Sequence, residues 1–307
     1  MVLRMIIIED KSSLDESTVV ALGNFDGVHI GHKKLLDEAK KRADETGKKL
    51  AVITFDDKLT NKKNRGSHGK IMSFSQKCEV LKNLGADILY VLEFNDELKN
   101  MSREEFTEEI LIDKMKASDI FAGFNFRFGR NAEGDVSYLQ NRGFPFEVHM
   151  IDPVEYGGQV VSSTLIRGYI REGRIKELNR LLAVPFSIRG EVVRGKGRGK
   201  LMGFATANLK CDDKYLPPRF GVYETRTVYK GKEHKSLTNV GENPTFGDID
   251  SFSIETHLLN FDEDIYGENI EVEFVRFMRD EVKFTSVDNL IEQVNKDIDS
   301  IMFAKDE

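Results

Sequence analysis

Hydrophobic and polar positions follow two different rhythms along the chain. Up to about Val184, short apolar runs alternate with stretches of helical spacing. Residues 18–22, 50–55, 86–92, 119–123 and 146–151 read as buried strands, and residues 32–46, 75–84 and 102–114 as the helices between them. Such alternation predicts a parallel sheet covered on both faces, with ligands at the carboxyl ends of its strands. The apolar run at residues 5–8 is too short for a secretory signal and ends in Glu9-Asp10 rather than a small-residue cleavage site. It is expected to form an edge or first strand.

Beyond Pro185 the rhythm changes to strands separated by turns, at residues 188–194, 206–209, 223–228, 235–240, 253–259 and 270–277, with Lys230-Gly231 placed to turn a hairpin. Helical spacing returns only at residues 286–303, where Val287, Leu290, Ile291, Val294, Ile298 and Ile301 form one apolar stripe expected to pack on the core. The second half is therefore predicted to be a small antiparallel barrel closed by a C-terminal helix. The expected domains are residues 1–183 and 184–307.

With 307 residues, 40% of them hydrophobic, the chain is long enough for two cores, and no stretch approaches a membrane span. Its net charge of -7 argues against a general nucleic-acid binder. Cys78 and Cys211 lie far apart and suggest no disulfide framework, so a cytoplasmic location is expected.

The most informative segment is Gly23-Asn24-Phe25-Asp26-Gly27-Val28-His29-Ile30-Gly31-His32, which joins the strand at 18–22 to a helix. Glycines let a backbone come close to a bulky anion, N–H groups at a helix start point toward it, and two imidazoles add donors. The segment reads as a nucleotide phosphate site. Zinc ligation by His29 and His32 is a competing chemistry, weakened by the lack of a His-Glu-x-x-His pattern or a paired Cys motif. Histidines that merely cap the helix and satisfy turn carbonyls are another.

Two further segments fit such a site. Gly123-Phe124-Asn125-Phe126-Arg127-Phe128-Gly129 follows a strand and offers an amide, a guanidinium suited to a phosphate fork, and rings for a planar ligand or for the core. Ser162-Ser163-Thr164-Leu165-Ile166-Arg167 opens a helix with hydroxyls, either as N-caps or, with Arg167, as phosphate contacts. Displacement at an α-phosphorus spreads charge over oxygens, and His29, His32 and Arg167 are residue types that stabilise it.

In the second half, Gly195 to Asn208 contains Gly197, Arg198, Gly199, Lys200 and Gly203, followed by Thr206 and Asn208 two residues apart. On a strand those two side chains share a face, where both oxygens can meet a hard cation. Glu255, on the strand at 253–259, is expected to face the barrel interior as a base for a substrate hydroxyl, the alternative being an outward, solvated glutamate.

In this order and spacing the segments resemble the prokaryotic bifunctional riboflavin kinase/FMN adenylyltransferase family, also called FAD synthetase, over nearly the whole chain. The matching elements are Gly23 to His32, Gly123 to Gly129, Ser162 to Arg167, Thr206 with Asn208, Asn239 to Gly247, Asp262 to Gly267, and Arg279-Asp280-Glu281 with Phe284. The resemblance implies an α/β fold class: a Rossmann-like nucleotidyltransferase domain with a parallel sheet, then an antiparallel β-barrel riboflavin kinase domain with a C-terminal helix. It implies ATP-dependent phosphorylation of riboflavin to FMN and adenylylation of FMN to FAD with release of pyrophosphate.

By the same resemblance, His29, His32, Arg167 and Glu255 are catalytic, and Thr206 and Asn208 hold Mg2+ with ATP. ATP or its phosphates meet Gly23, Asn24, Phe25, Asp26, Gly27, Gly31, Asn125, Arg127, Ser163 and Thr164, and in the barrel half Gly197, Arg198, Gly199, Lys200 and Gly203. Arg279, Glu281 and Phe284 are implied on the flavin side. The partners implied are small molecules, with no nucleic acid and no membrane. Two departures stand out: Asp56-Asp57-Lys58-Leu59 replaces the family's usual Pro-His-Pro after Thr54-Phe55, and Ala205 replaces the proline before Thr206. Rival readings keep only the kinase, or make the chain a non-catalytic flavin- or nucleotide-binding regulator or a transport-associated protein.

Overall fold

Val, Leu and Ala fill the strand Thr18–Leu22, and all five of its residues are buried, as expected of a strand covered on both faces. It lies inside a six-stranded sheet of β1 (Ile6–Glu9), β2 (Thr18–Leu22), β3 (Lys49–Asp56), β4 (Ile88–Glu93), β5 (Ala117–Gly123) and, after the short ribbon of β6 (Arg127–Phe128) and β7 (Gly134–Asp135), β8 (Glu147–Ile151). The order is β1-β4-β3-β2-β5-β8, and every neighbouring pair is parallel. The run at 5–8 thus forms an edge strand, as its pattern predicts. The computed structural model describes residues 5–9, 12–56, 69–93, 95–141, 143–195, 204–211, 215–242 and 252–303. They fall into two units, Met1–His68 with Phe74–Ser163, and Gly69–Ser73 with Thr164–Glu307.

Strand order in the first unit reverses between β2 and β5. In open α/β sheets the crevice at the carboxyl ends of such a pair is where ligands bind. Leu22 pairs with Ala122 and with Ile53, so Gly23, Gly123 and Thr54 lie level with one another toward the carboxyl edge of the sheet. Helix α1 (Ile30–Thr46) follows from β2, burying Leu35, Leu36, Ala39 and Ala43, and ends at Gly47 with φ 66°. That left-handed cap suits glycine. Helix Phe74–Asn83 follows β3. The predicted helix at 102–114 begins with a capping box between Ser102 and Glu105 but is π-helical over Phe106–Lys114. A short two-stranded ribbon, β9 (Glu155–Tyr156) and β10 (Gln159–Val160), precedes the end of this unit.

In the second unit, β11 (Ser187–Val193), β12 (Ala207–Lys210), β13 (Gly221–Tyr229), β14 (Lys232–Glu242), β15 (Phe252–Leu258) and β16 (Asn269–Arg279) close an antiparallel barrel in the order β11-β12-β15-β14-β13-β16. Lys230 and Gly231 both take positive φ, 48° and 74°, giving the two-residue turn between β13 and β14. Helices Ser163–Glu172 and Ile175–Leu181 lie almost wholly in this unit. The second is tied to the barrel by Asn179, whose amide donates to Phe274 O at 2.8 Å and accepts from the Phe186 N–H at 2.9 Å.

Hydroxyls line part of the barrel interior. Thr225, Thr227, Ser236, Thr238 and Thr256 are fully buried, and their oxygens form a cycle. Thr225 to Ser236 is 2.7 Å, Ser236 to Thr227 2.8 Å, Thr227 to Thr256 3.4 Å, Thr256 to Thr238 2.8 Å and Thr238 to Thr225 2.7 Å. Outside the barrel, Ile301, Val294 and Ile298 of helix Val287–Met302 cover Val222, Leu237 and Leu259. The stripe packs as predicted at this end, whereas Val287 at its start is 59% exposed.

Candidate active sites

Three residues of the turn after β2 carry positive φ: Phe25 at 53°, Gly27 at 82° and Val28 at 29°. For a β-branched residue such as Val28 this backbone is strained, and such strain persists where surrounding contacts over-determine it. Those contacts are visible. The Phe25 ring is fully buried and folds back on Gly23, where a Cβ would lie 2.9 Å from the ring; a Cβ on Gly31 would lie 3.2 Å from the His29 ring. Two of the glycines are therefore floors for aromatic rings, and only Gly27 is required by its own φ.

His29 is the N-cap of helix α1, and its Nδ1 accepts the His32 N–H at 3.2 Å. Its proton therefore resides on Nε2, leaving that nitrogen as a donor. The two imidazoles stack with centroids 3.7 Å apart, and Phe25 packs on His32 at 5.1 Å. Burial pushes the His29 pKa down to about 4, and burial with the neighbouring His29 and Lys77 holds His32 well below its ordinary value. Both rings are thus neutral donors near pH 7. Among the described residues His32 Nδ1 is buried with no hydrogen-bond partner, and the two histidines belong to no cluster of three metal-ligating side chains.

Around this turn, Ser163 Oγ donates to Asp26 O at 3.2 Å, drawing a predicted hydroxyl to the turn. Thr164 and Arg167 fall in the second unit. At the end of β5, the loop from Gly123 keeps Asn125 exposed, with its Oδ1 3.5 Å from a Cβ built on Gly123. Arg127 is also exposed; it lies 3.6 Å from Asp135 Oδ2 and donates to Phe126 O. Phe126 and Phe128 pack into the core, and only Phe124 is exposed.

Sequence reasoning missed Lys77 and Thr54. Lys77 is buried on helix Phe74–Asn83, on the same face as Val80 and Leu81. A cation on a helix's apolar stripe was the available signal. Another group of candidate ligands, Asp119, Glu147 and His149, is already engaged by Arg42, which donates to Asp119 at 2.6 Å and to Glu147 at 3.1 Å.

On the barrel, Asn208 pairs with Glu255, and Glu255 pairs with Asn239. Residues directly opposite in neighbouring strands share a face, so the three form a polar row across β12, β15 and β14. That face is the outer one: Glu255 is exposed while its neighbours Ile254 and Thr256 are buried. The expectation that Glu255 points into the barrel is therefore corrected, because the hydroxyl cycle and apolar side chains fill the inside. Thr206 and Asn208 flank the buried Ala207 and are both partly exposed. Asn239 donates to Glu281 Oε1 at 3.0 Å, and a Cβ on Gly241 would lie 2.7 Å from that same oxygen. A Cβ on Gly195 would lie 2.5 Å from Asn208 Cγ, so only glycine leaves that amide where it is.

His257, on the same outer face, donates from Nδ1 to Ala205 O at 2.8 Å and fixes the backbone just before Thr206. Arg279 is engaged by the buried Asp297 of the last helix, at 2.7 Å from Nη2, and Phe284 is half-buried. Gly197, Arg198, Gly199, Lys200 and Gly203 lie outside the described residues, as do residues 57–68 and residues 243–251.

Residues 11–165 match the family model for FAD synthetase, and residues 182–303 match that for riboflavin kinase. A bifunctional riboflavin kinase/FMN adenylyltransferase of Listeria monocytogenes is 36% identical, with 92% of this chain and 91% of that protein aligned. The chain belongs to the bifunctional riboflavin kinase/FMN adenylyltransferase family. Another member, from Bacillus subtilis, is 32% identical, covering 91% of this chain and 90% of its own length. A crystal structure described as a macrolide-efflux protein from Streptococcus pneumoniae superposes with a TM-score of 0.89 at 32% identity, covering 98% of this chain and 100% of that one. Among the described residues no helix is long and apolar enough to cross a membrane. The parallel sheet and the closed barrel are the two-part fold that the resemblance implies.

Proposed function

We propose that residues 1–183 adenylylate FMN with ATP to give FAD and pyrophosphate, and that residues 184–307 phosphorylate riboflavin with ATP to give FMN. The observation that carries this reading is the pair of polar constellations, one in each half of a chain that aligns nearly end to end with bifunctional relatives. The first is the histidine turn at the sheet's switch point; the second is the Asn208–Glu255–Asn239 row.

In the adenylylation step, FMN phosphate attacks the α-phosphorus of ATP and pyrophosphate leaves. His29, with its proton on Nε2, donates to oxygens on which charge develops, and backbone N–H groups at the start of α1 add to that field. Ser163 fixes the turn through Asp26, and Arg167 is assigned to the phosphates by its place in the Ser-Ser-Thr-x-Ile-Arg element. In the kinase step, Glu255, opposite Asn208 and Asn239 on the neighbouring strands, accepts the proton of the riboflavin hydroxyl that attacks the γ-phosphorus, and ADP leaves.

Thr206 and Asn208 offer hard oxygen donors on the face that carries Glu255, a set that fits magnesium. Bound there with ATP, the ion would neutralise charge on the transferring phosphate. Glu281 and Phe284 are assigned to the flavin side. Arg279 borders these residues in sequence, with its guanidinium holding Asp297. A cytoplasmic enzyme is the reading in keeping with two cysteines, Cys78 and Cys211, placed far apart in the sequence.

Incubating the full chain with riboflavin, ATP and magnesium and separating the flavins tests the reading. Both FMN and FAD are expected. FMN alone would leave a kinase with an inactive first half, and neither product would leave a binding protein.

A further inference from the structure

Burying an ammonium group is costly unless polar groups surround it. Lys77 is only 7% exposed, and its Nζ donates to Asn24 O at 3.1 Å, Thr54 Oγ1 at 3.1 Å and Phe55 O at 3.4 Å. Thr54, fully buried in β3 two residues before its end, itself donates to Asn24 O at 2.9 Å. The carbonyl that opens the strained turn therefore accepts two bonds from inside the protein.

A trans peptide points its C=O and the next N–H in opposite directions. Holding the Asn24 carbonyl inward turns the Phe25 N–H outward, away from Lys77, at the start of the segment where Phe25, Gly27 and Val28 take positive φ. Lys77 also places its charge close enough to His32 to lower that imidazole's affinity for a proton. One side chain thus bears on both the backbone and the imidazoles of the turn.

We propose that Lys77 is a positioning residue for adenylyl transfer: its buried ammonium locks the Asn24–Phe25 peptide and supplies a fixed positive charge behind the histidine turn. This rests on the reading of that turn as the adenylylation site. Nothing in it bears on the barrel, so riboflavin phosphorylation serves as an internal control.

The test uses the full chain with Lys77→Met, which removes charge and donors at similar length, and Lys77→Gln, which keeps an amide donor without the charge. For each, FAD formation from supplied FMN, FMN formation from riboflavin, melting temperature and the NMR titration of the histidine Cε1 protons are measured. Among the described residues, His29 and Lys77 are the titratable groups that act on His32. In both variants kcat for FAD is expected to fall at least about tenfold, with KM for ATP changing less and riboflavin phosphorylation unchanged. His32 is expected to titrate at higher pH than in the parent protein.

If Lys77→Met melts early, Lys77→Gln decides. An unchanged kcat for FAD together with an unmoved His32 titration in that variant would overturn the proposal. A parent chain that forms no FAD would refute the adenylylation reading instead, and the His32 titration would still report on Lys77.

Discussion

His29 offers a quantitative handle, because a buried neutral imidazole makes stability depend on pH in a defined window. Its pKa is pushed from 6.5 to about 4 by burial. Below pH 6.5 the unfolded chain binds a proton that the folded chain refuses, so stability is fully present above about 6.5 and is lost as pH falls toward 4. Integrating between those values, His29 alone removes about 2 kcal/mol between pH 7 and pH 5, and about 3 kcal/mol by pH 4. His29→Asn isolates this contribution, since Asn is a good N-cap whose Oδ1 can accept the His32 N–H but does not titrate. Urea unfolding followed by far-UV circular dichroism at pH 7, 6 and 5, with amide exchange over residues 18–46 to assign the change to the first unit, measures the difference. The parent should lose about 2 kcal/mol more than the variant from pH 7 to pH 5. Carboxylates common to both cancel, and the relief of His32 on losing a neighbour that takes up charge only as pH nears 4 trims the difference. Parallel pH slopes would show that His29 takes its proton in the folded state, and the neutral-donor account would fall. The same variant lacks the Nε2 donor, so FAD formation should drop about a hundredfold with the kinase unaffected.

Glu255→Gln should nearly abolish FMN formation while adenylylation of supplied FMN continues, because an amide cannot take the ribityl proton; near-normal kinase turnover would remove Glu255 from that role. Gly195→Ala should raise the magnesium-ATP requirement of the kinase several-fold with little change in melting temperature, because its Cβ displaces the Asn208 side chain. Unchanged magnesium dependence would show that Asn208 is not a ligand.

Much of the fold was legible because burial imposes periods that survive in the residues. Thr18–Leu22 is apolar throughout since both its faces are covered, and Lys230-Gly231 announced a hairpin because few residue pairs tolerate two positive φ values. The facing of Glu255 was misjudged although Ile254 and Leu258, at two-residue spacing, point inward with Thr256 between them. A barrel lined partly by hydroxyls blurs the contrast on which alternation relies. The π-helical segment Phe106–Lys114 keeps its apolar residues and alters only their phase, which spacing over nine residues registers weakly. Gly23 and Gly31 were recognised as necessary, but as openings for an anion; what they admit in the structure is the rings of Phe25 and His29. Lys77 was passed over because a helix pattern ranks a lysine as solvent-facing, and only the convergence of β2, β3 and the following helix shows why it lies inside.

The hydroxyl cycle in the barrel ties five positions on three strands into a single unit of inheritance. A hydroxyl that loses its neighbour to a valine keeps its own desolvation penalty of about 1–3 kcal/mol, while an all-apolar interior of similar shape has no orphan to satisfy. Intermediate sequences are thus the worst ones, and the step from one interior to the other crosses a valley rather than a slope. A library that randomises Thr225, Thr227, Ser236, Thr238 and Thr256 together should return folded members at the two ends, hydroxylic or hydrocarbon, and few of the mixtures that separate them.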